Sequence, residues 1–372
     1  MDETLLMMIA ISILVAAVIG WKSGIATALM EIAAGVIIGN IFPIELPELV
    51  NTLSELGLIT QMFMAGLEID LSFLKQKGKE SIKIGIISYT IPFAVIGLAV
   101  YILFDLSFQQ TILFSLALST SSVGIIYTIL RRKGILGPRR KLILSSIMVT
   151  EFISMVILGL YYSDITWTVL AVLFFIILAT LGYGYLQKSY HPFQESTTEN
   201  ISIKFILAIL LIAEFLASGS GVDVILIVFI LGMLLAKYVE DHATLKNEIE
   251  AISFGFLTPI FFFATGFGIS LTEFGGVFWQ VAALVTISFS ITFIVTYLVA
   301  KKNFQKRARI TAILFNAPMS IGIVAATIGI EKGIIDHQQY LILLGTVVIS
   351  SLIAILLGRY PEDKLKITKP AS

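Results

Sequence analysis

The chain has 372 residues, of which 57% are hydrophobic and 13% are charged, and its formal net charge is zero. An average soluble domain carries about 25% charged residues, so the composition excludes an ordinary soluble domain and indicates an all-α polytopic membrane protein in contact with lipid. Cysteine is absent, which excludes disulfide bonds and thiol chemistry, and the three histidines fall in predicted loops far apart in sequence. We therefore expect no cofactor, no resident metal and no enzyme activity.

About thirteen apolar runs are long enough to cross a membrane, since a transmembrane helix needs about 20 mostly apolar residues. The first run follows the acidic start Met1-Asp2-Glu3, which lacks the basic region of a cleaved signal peptide, so we expect it to be retained. Gly219-Ser220-Gly221 predicts a tight turn between the eighth and ninth spans. In chain order the predicted spans are 4–21, 25–42, 54–73, 83–104, 109–130, 142–162, 165–187, 202–218, 221–238, 252–271, 277–300, 309–330 and 340–358.

The basic residues orient these spans, because cytoplasmic loops of membrane proteins carry the excess of Lys and Arg. With the N-terminus outside, the predicted inner loops and the C-terminal tail hold every one of the 25 basic residues except Lys332. Polybasic patches that bind anionic lipid are an alternative explanation, but the clusters occur in every second loop, which favours topology. The sequence predicts a multi-pass protein of the cell inner (plasma) membrane, with the N-terminus outside and the C-terminus cytoplasmic.

A carboxylate lies in the middle of the sixth predicted span. Glu151 is flanked by apolar or small residues from Leu142 to Tyr162, and its neighbour Thr150 offers an uncharged oxygen ligand. A buried ionised carboxylate is costly in hydrocarbon, so such residues usually line a bundle interior, a cavity or an ion path. The pair therefore indicates a site where a proton and a small cation compete. The alternative is a protonated Glu that only links two helices by a hydrogen bond.

Two sequence patterns recur at an offset of seven predicted spans. Phe63 to Leu71 in the third span resembles Phe262 to Leu271 in the tenth, and Leu118 to Gly124 in the fifth resembles Asn316 to Gly322 in the twelfth. An odd offset reverses direction across the membrane, which indicates inverted-topology repeats with discontinuous helices near the midplane. Chance is the alternative, because small residues are common at helix contacts, and Gly35 and Gly39 predict one such contact. The predicted division is residues 1–162 (first repeat), 163–201 (connecting helix and inner loop), 202–358 (second repeat) and 359–372 (cytoplasmic tail).

Five stretches in this order resemble the second family of monovalent cation:proton antiporters, which includes bacterial Na⁺/H⁺ exchangers and Kef-type K⁺/H⁺ antiporters. No single stretch is specific to the family, but the ordered set of five is, and it extends over much of the chain. The stretches are Glu31 to Gly39, Phe63 to Asp70, Ser119 to Gly124, Ile230 to Ala236 and Leu257 to Gly266.

The resemblance implies a dimerisation bundle, a core bundle with two crossed, unwound helices, and a homodimer. The crossed helices would be the fifth and twelfth spans, and the ion-binding dipeptide would be Thr150-Glu151. The family's usual dipeptide is Asp-Asp, Asn-Asp or Gln-Asp, so both positions depart from its pattern. The side chains that could add oxygen ligands or hydrogen bonds at the crossing are Ser119, Thr120, Ser121, Asn316 and Ser320.

Two further features bear on mechanism. Charge-moving members of related families place a Lys in the eleventh span, where this chain has Ser288, Ser290 and Thr292. The sequence stops at Ser372 and contains no G-x-G-x-x-G that opens a strand–helix unit, so we expect no regulatory nucleotide-binding domain in this chain and no nucleic-acid partner.

The remaining intramembrane acids have competing interpretations. Glu214 in the eighth span is a candidate second proton site, although an interfacial hydrogen bond is favoured, and Asp223 begins the ninth span. Glu68 and Asp70 close the third span, where charge pairing with nearby Lys residues is favoured over ion binding. Glu31 either lines a cytoplasmic funnel or lies at an exposed helix end.

The function that these patterns favour is secondary antiport of protons against a monovalent cation, with Na⁺ favoured over K⁺ and with electroneutral exchange. One alternative is a non-transporting membrane sensor or subunit on the same scaffold. Another is a sodium-coupled symporter of organic solutes, since inverted-repeat folds with crossed helices also carry other substrates. A symporter site would need more polar residues around the crossing than the sequence supplies.

Overall fold

The computed structural model describes residues 2–42, 45–69, 71–132, 138–162, 201–218, 224–304 and 307–359. Within these ranges the regular structure is helical, with one π-helical turn and no strand. The seventh predicted span, the predicted turn at Gly219-Ser220-Gly221 and Asp223 lie outside the described residues.

The described residues of the first half of the chain form seven helices. A capping box opens α5, in which the Ser107 side chain accepts from the Gln110 N–H and the Gln110 side chain accepts from the Ser107 N–H. The helices are α1 Asp2–Ser23, α2 Thr27–Ile41, α3 Glu48–Leu67, α4 Leu71–Phe104, α5 Phe108–Ser119, α6 Val123–Arg132 and α7 Pro138–Tyr162.

The second half supplies eight more described helices. A π-helical turn, Ser253–Leu257, joins two of them into one continuous rod. The helices are α8 Ile201–Ser218, α9 Val224–Asp241, α10 Ala243–Ile252, α11 Thr258–Phe267, α12 Leu271–Phe304, α13 Ala308–Leu314, α14 Met319–Glu331 and α15 His337–Arg359.

Each predicted span within the described residues coincides with a helix or with a pair of consecutive helices. Among the described residues, eight helical segments are long and apolar enough to cross a membrane. The bounds differ most around the third and fourth spans, because α3 ends at Leu67 and α4 already begins at Leu71. The predicted bounds follow hydropathy, which records only where apolar side chains begin and end. The helices themselves are set by backbone hydrogen bonds, so their ends differ from the predicted ends.

The fifth and twelfth predicted spans are both broken in the middle. The backbone of Thr120 is extended between α5 and α6, and Pro318, which has no N–H, precedes α14. The two unwound segments bond to each other: the Ser122 N–H donates to the Ala317 carbonyl at 2.8 Å, and the Ser121 hydroxyl donates to the Phe315 carbonyl at 2.7 Å. The predicted crossing of two discontinuous helices is confirmed.

Two helix pairs pack through glycine in the same manner. A Cβ at Gly35 of α2 would collide with the Phe263 carbonyl of α11, and a Cβ at Gly266 of α11 would collide with the Ile32 carbonyl of α2. Likewise, Cβ atoms at Gly66 of α3 and Gly232 of α9 would collide with the carbonyls of Phe229 and Phe63. The pairs α2–α11 and α9–α3 are related by the offset of seven spans, so the contact that Gly35 predicted occurs twice, each time between a helix of the first half and a helix of the second half. This recurrence supports the inverted repeat.

The broken helices lie at the centre of the largest hydrophobic core. Leu113, Phe114, Leu116 and Ala117 of α5 are buried, as are nearly all residues of α13 and α14. Apolar side chains of the surrounding helices, such as Leu14, Leu103 and Leu298, are exposed on the outer surface, where a membrane protein meets lipid. The crossing therefore lies among closely packed, buried side chains.

Candidate ion-binding site

Glu151 of α7 faces the crossing and is 1% exposed. Its Oε1 accepts a hydrogen bond from the Ser320 hydroxyl at 3.2 Å, and the carboxylate also accepts from the backbone N–H of Val123. Val123 is the first residue of α6, and Ser320 is the second residue of α14. The carboxylate therefore lies at the N-terminal ends of the two half-helices that follow the breaks, α6 and α14.

This position favours a negative charge. A helix N-terminus carries unsatisfied N–H groups and a partial charge of about +0.5, so it attracts anions. Two such ends converge on the Glu151 carboxylate, while its other oxygen, Oε2, is buried and has no hydrogen-bond partner among the described residues. The site thus holds one oxygen of the carboxylate in place and leaves the other available to a proton or a cation.

The predicted crossing ligands have different roles in the structure. Ser320 contacts both Glu151 and the Ser122 hydroxyl, the latter at 2.5 Å. Ser121 links the two unwound segments through the Phe315 carbonyl, and the Asn316 amide nitrogen donates to the Ala312 carbonyl of its own helix. The hydroxyls of Ser119 and Thr120 are buried and have no partner among the described residues, so they are the side chains at the crossing with unused oxygen atoms.

Thr150 is fully buried, and its hydroxyl donates to the Ile147 carbonyl of α7 at 2.8 Å. A hydroxyl oxygen that donates its proton to a carbonyl still has lone pairs. The structure therefore places Thr150 beside Glu151 in sequence and anchors its side chain to its own helix. Its role as a cation ligand stays a prediction.

A cavity of about 1120 Å³ reaches the crossing from one end of the helix bundle. Its inner wall includes Ser122, Val123 and Ser320, and its outer wall includes Lys141 and Lys246. These two lysines belong to the segments that the charge pattern assigns to the inner side. Glu151 itself is not among the lining residues that the structure describes, so its carboxylate lies one residue layer behind the cavity wall.

Glu68 and Glu31 also line this cavity. Glu31 is 4% exposed, and its placement agrees with the predicted funnel position and not with an exposed helix end. Glu68 was expected to pair with interfacial lysines, and it interacts electrostatically with Lys246 of α10. Its Oε1 also lies 3.2 Å from the position that a Cβ at Gly124 would occupy, in the first turn of α6. Periodicity could not find this contact, because Glu68 and Gly124 lie on different helices.

Glu214 of α8 is partly buried and is not among the described residues that line the cavity. The helix that carries it packs on α9 and α10, away from the crossing of α5–α6 with α13–α14. Its role as a second proton site stays a prediction, and its position relative to the cavity does not support that role.

The chain has two inverted halves, each with a broken helix, and the two broken helices cross. A buried carboxylate lies at the crossing, and a cavity leads toward it. These features define an ion transporter of the crossed-helix class. The profile of the family described as "Sodium/hydrogen exchanger, transmembrane" matches residues 7–359, so the chain belongs to this family of transporters.

Two relatives and one solved structure show how far the similarity extends. "Probable Na(+)/H(+) antiporter 3" of Methanocaldococcus jannaschii is 27% identical over 86% of this chain and 86% of its own length. "K(+)/H(+) antiporter 1" of Saccharomyces cerevisiae is 24% identical over 83% of this chain and 40% of its own length. The sodium proton antiporter MjNhaP1 from Methanocaldococcus jannaschii at pH 8 superimposes with a TM-score of 0.68 at 16% identity, covering 98% of this chain and 97% of that one. The predicted fold is confirmed.

Proposed function

We propose that this protein exchanges protons for a monovalent cation, with Na⁺ favoured over K⁺, by alternating a proton and the cation on Glu151. The observation that carries the proposal is the buried carboxylate, whose Oε1 accepts from Ser320 and whose Oε2 has no partner among the described residues. Relatives named for Na⁺/H⁺ and K⁺/H⁺ antiport support the class of substrate.

The mechanism follows from the cost of an uncompensated charge. Moving a buried, ionised carboxylate away from the two half-helix ends that compensate it would cost several kcal/mol, so the protein changes conformation only when Glu151 is neutralised. A proton on Oε2 neutralises it, and so does a monovalent cation that binds the same oxygen. The two cannot occupy Glu151 together, and this mutual exclusion couples the proton to the cation.

We further propose that exchange is electroneutral, with one proton for one cation. Net charge movement would couple transport to voltage at about 2.3 kcal/mol per charge per 100 mV. It would also require a second group whose occupancy changes in the cycle, and Thr150 stands where a second Asp would lie. In α12, Ser288 and Thr292 are buried where a Lys would face the core, while Ser290 is exposed on the outer surface.

The site and the charge pattern together support an orientation. The cavity opens between segments with predicted inner loops, so we propose that it faces the cytoplasm, with the N-terminus outside, in the plasma membrane. The resemblance to the antiporter family supports a homodimer. The recurrence of the α2–α11 contact in α9–α3 supports the division into repeats at residues 1–162 and 202–358.

The test is proton flux in proteoliposomes. The purified chain is reconstituted with an acid-sensitive dye inside, a proton gradient is imposed, and Na⁺, K⁺ or Li⁺ is added in turn. Antiport predicts dye dequenching by Na⁺ at lower concentration than by K⁺. No response to any cation would favour the non-transporting sensor or subunit, and a response only when an organic solute is added would favour the symporter.

Electroneutrality is tested on the same vesicles. Valinomycin with K⁺ gradients imposes a membrane potential, and currents are recorded on a solid-supported membrane. We expect no sustained cation-driven current and no dependence of the rate on the imposed potential. Either of these signals would show electrogenic exchange and would overturn the one-to-one stoichiometry.

A further inference from the structure

Two carboxylates contact the first turn of half-helix α6. Glu151 accepts from the N–H of Val123, and Glu68 lies against the next residue, Gly124, whose missing Cβ leaves room for Oε1. The two acids come from α7 and from the end of α3, and they are close enough to interact electrostatically. The second oxygen of Glu151, which is buried and unpartnered among the described residues, marks this place as one that receives a ligand.

Glu68 lines the cavity, as do Lys246 and Glu250 of α10, and it interacts electrostatically with both of these residues. Glu151, in contrast, is absent from the described part of the cavity wall. An ion in the cavity therefore has direct access to Glu68, whereas it must leave the cavity to reach Glu151.

We propose that Glu68 is a second cation-binding residue of the transport path, which takes Na⁺ from the cavity and holds it beside Glu151 before Glu151 binds it. The inference rests on the proposed function and adds a residue to it. A monovalent cation near two carboxylates is attracted by both, and each contributes a Coulomb energy that grows as the local dielectric constant falls.

Lys246 is the counter-charge of Glu68 in this scheme. Its side chain is exposed and flexible, so the ammonium group compensates Glu68 while no cation is bound and moves aside when one arrives. Glu68 has the same charge at the start and at the end of each cycle. It therefore changes the affinity for the cation without changing the number of charges moved.

The scheme predicts that Glu68→Gln and Lys246→Gln change the half-saturating Na⁺ concentration in opposite directions. At fixed pH, Glu68→Gln raises the half-saturating Na⁺ concentration about tenfold, which corresponds to about 1.4 kcal/mol, and leaves the maximal rate within about twofold. Lys246→Gln lowers the half-saturating concentration about threefold because a competing cation is removed. In the Glu68→Gln background, Lys246→Gln has no further effect, since both act through the same carboxylate.

Two matched controls come from neighbouring positions of the same type. Glu248→Gln and Lys237→Gln remove the same charges from α10 and α9, and neither residue is among the described residues of the cavity wall. Both variants should leave the half-saturating concentration unchanged. Size-exclusion profiles and thermal melting in detergent verify that every variant folds.

The outcomes separate this inference from the proposed function. If the wild-type chain exchanges Na⁺ for H⁺, Glu151→Gln is inactive and Glu68→Gln keeps the wild-type Na⁺ constant, the role of Glu68 is refuted and antiport stands. If the wild-type chain shows no exchange, the proposed function fails first. If Glu68→Gln is folded but inactive, Glu68→Asp decides: recovery of exchange supports a role for the charge, and no recovery contradicts it.

Discussion

The break between α5 and α6 is made by hydroxyl residues, Thr120 to Ser122, whereas the break between α13 and α14 contains Pro318. Hydroxyl side chains compete with the backbone for hydrogen bonds, and proline removes a donor, so two different causes produce the same interruption. The helices that follow differ more. Helix α7 carries Glu151 at the crossing, while α15 has no acidic residue between His337 and Arg359.

The helical framework at the crossing is repeated in the two halves, whereas the carboxylate at the crossing is not. Each half contributes a broken helix and one helix of each glycine-packed pair, and the N-terminal ends of α6 and α14 both point at the same place. Only the first half contributes the carboxylate that uses these ends. The two halves therefore form a symmetric frame, and Glu151, to which we assign the proton and the cation in the proposed function, occurs in one half alone.

The largest effect is expected at Glu151. Glu151→Gln keeps the shape and a hydrogen-bond acceptor for Ser320, but it removes the charge on which the proton and the cation compete. Exchange should fall by more than about a hundredfold in the dye assay, with normal folding by size exclusion. Glu151→Asp, which keeps the charge on a side chain one methylene shorter, should retain partial exchange with an altered cation preference. Normal dequenching by the Gln variant would refute the assignment of the site.

Substitution of Ser320 tests what the second half of the chain contributes to cation binding at Glu151. Ser320→Ala removes a donor to the carboxylate, and a hydrogen bond to a charged group contributes about 1.5–3 kcal/mol. The half-saturating Na⁺ concentration at fixed pH should therefore rise about tenfold or more. Ser154→Ala is the matched control, because that hydroxyl donates to the Thr150 carbonyl within α7. Equal effects of the two variants would mean that α14 contributes only structure.

The equivalence of the two glycine contacts, α2–α11 and α9–α3, can be tested by comparing the thermal stability of glycine variants. Gly266→Ala and Gly232→Ala each place a Cβ against a backbone carbonyl of the partner helix, and overpacking of this kind costs about 1–3 kcal/mol. Both should lower the melting temperature in detergent by similar amounts. Gly275→Ala is the control, since its Cβ would meet nothing within 4 Å. A large drop at one contact and none at the other would argue against equivalent roles in the two halves.

The smallest effect is expected for a neutral ligand. Thr120→Val removes a buried hydroxyl that has no partner among the described residues, and one neutral hydrogen bond or ligand contributes about 1 kcal/mol. The half-saturating Na⁺ concentration should rise about fivefold while the pH response persists. Thr346→Val on α15, whose hydroxyl donates to the Ile342 carbonyl, should change neither. If cation affinity also survives substitution of Ser119, Ser121 and Asn316, the crossing supplies no side-chain ligand.

Much of the architecture was determined by the sequence alone. Runs of apolar residues predict spans because a helix is the local structure that satisfies its own backbone hydrogen bonds in hydrocarbon. Alternating basic loops predict an orientation, and Ser-Thr-Ser-Ser and Asn-Ala-Pro predict interruptions at the two positions where the helices break. Glu151 stood out because an acid in the middle of an apolar run is conspicuous without knowledge of its neighbours. These signals are local, so they can be read along one stretch of chain.

The tertiary structure decided which of these residues meet. Only packing shows that the N–H of Val123 and the hydroxyl of Ser320 converge on Glu151, that Ser121 joins two unwound segments, and that Gly35 and Gly232 occupy related contacts. The sequence marked Glu68 as a charge that pairs with lysine because it closes an apolar run, and only packing shows that it also lines the cavity beside Gly124. Proximity between helices distant in sequence depends on how whole helices pack, and no periodicity within a single helix encodes it.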